Sequence, residues 1–196
     1  MKDAAITALI AVDVQRDFID PQGALAVLHG DEVVAPLVKL ADEVGVVVAT
    51  RDYHPEDHCS FVEQGGTWPK HCVARNAEPT TMAEAMTEYG SDIHPEIAKY
   101  ASWIVSKGRD SAVDAYSAFD GTGLAEQLRE KGITTLLIGG VATDYCVKAT
   151  AIDATKEGFK VIVIKEACRA VNARHNDEDR AYGEMKDAGV ILQENL

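Results

Sequence analysis

Arg129-Glu130-Lys131-Gly132-Ile133-Thr134-Thr135-Leu136-Leu137-Ile138 compresses the end of a helix, a glycine and the start of a buried strand into ten residues. Glycine accepts the left-handed conformation that closes a helix, and an apolar run without alternation suits a strand covered on both faces. The same punctuation occurs at Asp42-Glu43-Val44-Gly45 before Val46 to Ala49. It returns at Lys156-Glu157-Gly158 before Val161 to Ile164, and at Lys186 to Gly189 before Val190 to Leu192. Adding Ile6 to Val12 and Trp103 to Ser106 gives about six strands separated by helices. Parallel strands need crossover connections, so the predicted fold is α/β: a doubly wound three-layer sandwich around a mainly parallel sheet.

The chain has 196 residues, which suits a single domain over 1–196 that can bury a core without disulfide or metal staples. Apolar residues make up 46% and charged residues 26%, a balance that excludes disordered and low-complexity classes. Nineteen Lys plus Arg against 32 Asp plus Glu give a net charge of −13, so the surface repels nucleic acid and anionic membrane and the expected partner is a small molecule. A homo-oligomer is compatible with this composition. Ala4 to Val12 resembles a short signal core, but the charged stretch from Asp13 to Asp20 interrupts it, and no apolar run approaches the ~18 residues of a membrane span. It is better read as a buried first strand. Cys59, Cys72, Cys146 and Cys168 contain no Cys-x-x-Cys pair, and the expected setting is a reducing cytoplasm.

Ligands in open α/β sheets bind beyond the carboxyl ends of the strands, so the residues there are the first candidates for chemistry. Asp13 follows Leu9 to Val12, Asp52 follows Val46 to Thr50, Lys107 follows Ile104 to Ser106, and Cys146 lies where the strand ending at Gly140 turns into a helix. The positive end of that helix dipole is expected to favour a Cys146 thiolate. Cys168 has no such position and reads as a structural thiol.

About fifty residues separate the strand ending near Thr50 from the one starting near Trp103, and long loops in compact domains are usually functional. That interval holds four of the six histidines. Asp52, His54, His58 and His71 make a candidate site for one divalent ion, Zn²⁺ or else Fe²⁺ or Mn²⁺, within a loop region at about 51–95. Cys59 and Cys72 are alternative ligands beside His58 and His71. Adjacent residues of an extended chain point to opposite sides, which favours the histidines.

These residues resemble the nicotinamidases, also called pyrazinamidases, of the isochorismatase-like cysteine hydrolases. The likeness runs nearly end to end: Val12-Asp13-Val14-Gln15-Arg16-Asp17-Phe18, Arg51-Asp52-Tyr53-His54 through His58, and Trp68-Pro69-Lys70-His71-Cys72. It continues through Ile93-His94-Pro95-Glu96, Lys107-Gly108, Asp114 to Phe119, and Gly140-Val141-Ala142-Thr143-Asp144-Tyr145-Cys146-Val147. The resemblance implies a catalytic trio of Asp13, Lys107 and Cys146, the metal set above, a cis peptide between Val141 and Ala142, and an oxyanion pocket made by the N–H groups of Ala142 and Cys146. The stretch from His71 to His94 departs from compact members, and around Ala77 to Tyr89 it reads as a helical turn or lid.

The expected reaction is deamidation of nicotinamide, and of pyrazinamide-like analogues, to nicotinic acid and ammonia. Asp13 takes the thiol proton, the sulfur attacks the carboxamide carbon, and water hydrolyses the thioester. Reference pKa values of about 3.9 and 8.5 make the proton transfer uphill by about 6 kcal/mol, a gap that the site must close. Lys107 favours aspartate before transfer and thiolate after it. The metal would hold the pyridine nitrogen, and Phe18, Trp68 and Tyr116 would wall the ring. Two enzymatic alternatives remain: a related amidohydrolase acting on a carbamoyl or ureido compound, and a hydrolase using metal-activated water with Cys146 merely packed in the core. A non-catalytic nicotinamide-binding protein is a third. A vinyl-ether hydrolase is disfavoured by the thiol at Cys146.

Overall fold

The computed structural model describes residues 7–75 and 89–195. One six-stranded sheet runs through it, in the order β3-β2-β1-β4-β5-β6 with every pairing parallel. Its strands are β1 (Thr7–Val12), β2 (Val46–Asp52), β3 (Trp103–Lys107), β4 (Thr135–Val141), β5 (Lys160–Arg169) and β6 (Ile191–Gln193). The helices among the described residues are α1 (Arg16–Ile19), α2 (Val34–Glu43), α3 (Pro95–Ala98), α4 (Leu124–Glu130), α5 (Lys148–Lys156) and α6 (Asp177–Asp187).

Side chains of a strand alternate between faces, and β1 divides accordingly. Ala8, Ile10 and Val12 join a core with Leu124 and Leu128 of α4, Ala151 and Ala154 of α5, and Met185 of α6. Leu9 and Ala11 join the opposite core with Leu37 and Leu40 of α2 and Ile97 of α3. Helices therefore cover both faces, which is why the strands read as unbroken apolar runs. The expected doubly wound three-layer sandwich is observed.

The punctuating glycines behave as expected at three of four places. Gly132, Gly158 and Gly189 take positive φ, whereas α2 closes at Val44 in an extended conformation and Gly45 needs no special backbone. Strand β5 runs well past the predicted Ile164, because Lys165 and Glu166 break the apolar run while the backbone continues beside β4 as far as Arg169.

The chain lays down β1, β2 and β3 outward in one direction, then returns to place β4 on the other side of β1. The strand order therefore reverses between β1 and β4, where a crevice opens at the carboxyl ends. At the end of β4 the peptide from Val141 to Ala142 is cis, as the family resemblance implies, and a π-helical turn (Thr143–Val147) leads into α5. The helical turn or lid expected around Ala77 to Tyr89 lies, apart from Tyr89, outside the described residues.

Candidate active site

Asp13 leaves β1 in the left-handed region, at φ 49°, directly at the switch point. Its backbone N–H donates to Thr50 Oγ1 at 3.1 Å, and the Thr50 hydroxyl in turn donates to Asp13 Oδ1 at 2.6 Å. The other carboxylate oxygen, Oδ2, is buried and accepts no well-aligned hydrogen bond, although Lys107 Nζ lies 2.9 Å away. Lys107 ends β3 with no exposed side-chain surface; it pairs with Asp52 Oδ1, donates to the Ala115 carbonyl at 3.3 Å and lies 3.4 Å from Cys146 Sγ. The structure thus brings Asp13, Lys107 and Cys146 into contact, each from the carboxyl end of a different strand.

Electrostatics here follow from burial and from one cation shared by two carboxylates. Burial raises the Asp13 pKa, Lys107 works against it, and Asp52 adds to it. Burial alone would lower the pKa of Lys107, yet Asp13 and Asp52 outweigh it and hold the ammonium charged well above the ordinary lysine range. Cys146 departs from the sequence-based expectation. Burial, aided by Asp13 and Asp52, pushes its thiol well above the usual value despite Lys107, so at rest the sulfur is protonated rather than a thiolate. A helix terminus acts locally, whereas burial and two carboxylates arrive from elsewhere in the chain.

The second constellation adjoins the first. Asp52, His54 and His71 offer ligand atoms that lie within 4.8 Å of one another, all buried. His54 Nε2 is 3.5 Å and His71 Nε2 is 3.9 Å from Asp52 Oδ2. Each ring turns Nδ1 to a backbone carbonyl, His54 to Gly108 O at 2.8 Å and His71 to Pro69 O at 2.7 Å. A carbonyl only accepts, so Nδ1 carries the proton and both Nε2 lone pairs face a carboxylate. Burial lowers the His71 pKa and so favours that neutral form. Burial acts likewise on His54, but Asp52 reverses it and would draw a proton into the gap. Three converging acceptors around one point are a donor set for a cation, and the chemistry fits a divalent ion.

His58, expected as a fourth ligand, stands outside this group. The turn closed by its own N–H on Pro55 O stacks its ring on His54 at 4.0 Å. Its Nδ1 meets Ser60 Oγ at 2.7 Å and its Nε2 meets Val113 O at 3.1 Å. Neither cysteine alternative joins: Cys72 is buried with its sulfur toward Gly90 O, and Cys59 belongs to no ligand group among the described residues. Asp13, Asp52 and Cys146 form another such group, but Lys107 Nζ already occupies its centre as the cation.

Cys146 of the first constellation and Asp52, His54 and His71 of the second line one cleft, whose other walls include Phe18, Trp68, Tyr116, Tyr145 and Ala142. The three predicted aromatics are all present. Trp68 Nε1 donates to Tyr116 Oη at 3.0 Å, and Phe18 tilts against His71 at 5.6 Å. Sequence reasoning missed Tyr145, edge-on to Trp68 at 5.0 Å, though it adjoins Cys146. It also missed Gln15, wholly buried, whose side-chain amide accepts the Asp52 N–H and donates to the Asp52 carbonyl, both at 2.8 Å. Its place two residues after Asp13, within the strand-terminal motif, was the available signal.

Residues 7–195 match the isochorismatase domain family. The nicotinamidase of Escherichia coli is 37% identical over 94% of this chain and 93% of its own length. Among solved structures, the pyrazinamidase of Pyrococcus horikoshii in complex with zinc shares 41% identity, with a TM-score of 0.79 over 96% of this chain and 99% of its own. PnC1 from L. infantum, in complex with nicotinate, shares 35% identity, with a TM-score of 0.85 over 97% and 93% of the two chains.

Proposed function

The chain belongs to the isochorismatase domain family, and from its likeness to the nicotinamidases and pyrazinamidases above we propose that it is a nicotinamidase, an amidohydrolase that converts nicotinamide and pyrazinamide-like analogues to the acid and ammonia. The observation that carries the mechanism is the placement of Lys107 Nζ, 2.9 Å from Asp13 Oδ2 and 3.4 Å from Cys146 Sγ. The thiol proton passes to Asp13 Oδ2, the oxygen left without a hydrogen bond, as sulfur attacks the carboxamide carbon. The negative charge starts on Asp13 and, as the S–C bond forms, passes through sulfur to the carboxamide oxygen, leaving Asp13 protonated and sulfur neutral. Lys107, close to both Asp13 and Cys146, pairs the charge at the start and along the transfer and favours neither partner over the other. The raised pKa of Asp13 narrows the gap to be crossed, and the raised pKa of Cys146 ties ionisation to attack rather than letting it precede attack.

The N–H groups of Ala142 and Cys146 are assigned to the tetrahedral oxyanion, where one such donor is typically worth ~3 to 4 kcal/mol. Protonated Asp13 then returns its proton to the departing ammonia, a general-acid contribution of about 10²- to 10⁴-fold. Water hydrolyses the thioester to release the acid. Phe18, Trp68 and Tyr116 wall the ring. The metal ligands are Asp52, His54 and His71, with His58 bracing His54, and zinc is the assigned ion because a relative similar over nearly the whole chain holds it. When bound, a divalent ion supplies a Lewis-acidic anchor for a heteroaromatic nitrogen. One domain spans the chain, and the four unpaired cysteines support a reducing cytoplasm.

Purified protein mixed with nicotinamide is expected to release ammonia and nicotinic acid in equal amounts. Absence of both, with pyrazinamide also left intact, would refute this reading.

A further inference from the structure

Asp17 takes no part in the chemistry above, yet its carboxylate and backbone N–H together reach three other points of the chain. Its Oδ2 accepts the backbone N–H of Cys72 at 2.6 Å, and its Oδ1 accepts that of Ala24 at 3.3 Å. Its own N–H donates to Gly90 O at 3.0 Å. Gly90 leaves the space that the carboxylate fills, since a Cβ there would fall on the Asp17 side chain.

The Cys72 end of this contact is the sensitive one. Cys72 is completely buried and holds φ at 46°, a left-handed conformation that a non-glycine residue keeps only when its surroundings impose it. Its peptide is the joint between two ligand histidines: His71 precedes it, and its carbonyl accepts the His54 N–H at 3.0 Å. Without Asp17 the buried Cys72 N–H loses its acceptor and the turn loses one of the contacts that hold it. Phe18, next in sequence, tilts against the His71 ring, so both residues press on the same turn.

We propose that Asp17 is a positioning residue for the metal centre, fixing the turn at His71 and Cys72 so that the two imidazoles meet Asp52 in binding geometry. This rests on the reading that Asp52, His54 and His71 hold a divalent ion. Partners that orient metal ligands typically cost 10- to 100-fold in metal affinity when removed, and that is the size of effect expected.

The test is the dissociation constant for Zn²⁺, measured without nicotinamide by competition with a chromophoric chelator on dialysed full-length protein. Folding is checked by circular dichroism, and the melting temperature of the metal-free form is recorded alongside. Asp17→Ala is expected to bind Zn²⁺ about 10- to 100-fold more weakly. Asp17→Asn, which keeps an acceptor oxygen, is expected to stay within about 3-fold of wild type, as is usual where the hydrogen-bonded partner is preserved. Gly90→Ala, whose methyl group displaces the carboxylate without touching a ligand, is expected to reproduce the loss, and it decides the matter should Asp17→Ala fail to fold. Unchanged affinity in folded Asp17→Ala or Gly90→Ala, or an Asn variant no better than Ala, overturns the proposal. A wild-type protein that binds no Zn²⁺ overturns the metal reading itself and this inference with it.

Discussion

A lysine with no exposed surface needs anionic company, and Lys107 has Asp13 on one side and Asp52 on the other. Lys107→Met would leave two buried carboxylates unneutralised, a loss of about 3 to 5 kcal/mol. In metal-free protein this is expected as a fall in melting temperature of roughly 6 to 20 °C, read by circular dichroism. Cys146→Ala is expected to cut ammonia release by at least ~10³-fold while leaving Zn²⁺ affinity intact, because removing a nucleophile removes a transition-state interaction and no ligand of the ion. Substantial residual turnover would instead support metal-activated water. Asp13 must be ionised to accept the thiol proton, and burial raises its pKa. The acid limb of kcat/KM, followed from pH 4 to 8, is therefore expected above the ordinary carboxylate range, which is about 3.9, with activity rising as pH rises through it. Asp13 and Lys107 were legible because each stands at the end of a strand run, and Cys146 because the run ending at Gly140 turns there into a helix. Thr50 and Gln15 were not: Thr50 reads as one more β-branched strand residue, and its contact with Asp13 spans 37 positions of sequence.

Among the elements, the turns after the strands set the site. Gly108 follows Lys107 at φ 62°, its carbonyl accepts His54 Nδ1, and a Cβ on it would run into the His54 ring. Gly140 holds φ at 133°, and a Cβ there would fall on the backbone of Val12, its partner in the pairing of β1 with β4. Unlike a flexible side chain, that backbone cannot move aside. Gly140→Ala is therefore expected to cost more than about 2 kcal/mol in urea denaturation, with impaired turnover in whatever folds, since strain and overpacking add. With four marked by glycine punctuation and β1 and β3 by their apolar runs, the existence of each strand was legible. Its exact extent was not, as β5 shows, because Lys165 and Glu166 are held by the end of β6 rather than by their own propensity: Lys165 Nζ meets Glu194 Oε1 at 2.7 Å, and the Glu166 N–H donates to Glu194 O at 3.1 Å. The stacking of His58 on His54 was equally invisible, since sequence spacing counts imidazoles without aiming them.

At the scale of the molecule, a net charge of −13 and an acceptor-lined centre both favour a cation. Among the described residues no helix is long and apolar enough to cross a membrane. Chelator-treated protein is expected to lose activity and regain it with Zn²⁺. At a free concentration 100 times the dissociation constant, the ion should stabilise the fold by about 2.7 kcal/mol, or roughly 5 to 10 °C in melting temperature, a shift absent if nothing binds. The layered α/β class followed from glycine punctuation and unalternating apolar runs, whereas which helix covers which face depends on crossover paths that no local pattern encodes. The return of β4 to the side of β1 also shapes how the polypeptide is made. A ribosome delivers β1, β2 and β3 first, so the half-built sheet waits with the apolar flank of β1 unpaired until the far later β4 emerges. That interval is when a growing chain is most apt to stick to its neighbours, and the thiol that completes the catalyst arrives only as the interval closes.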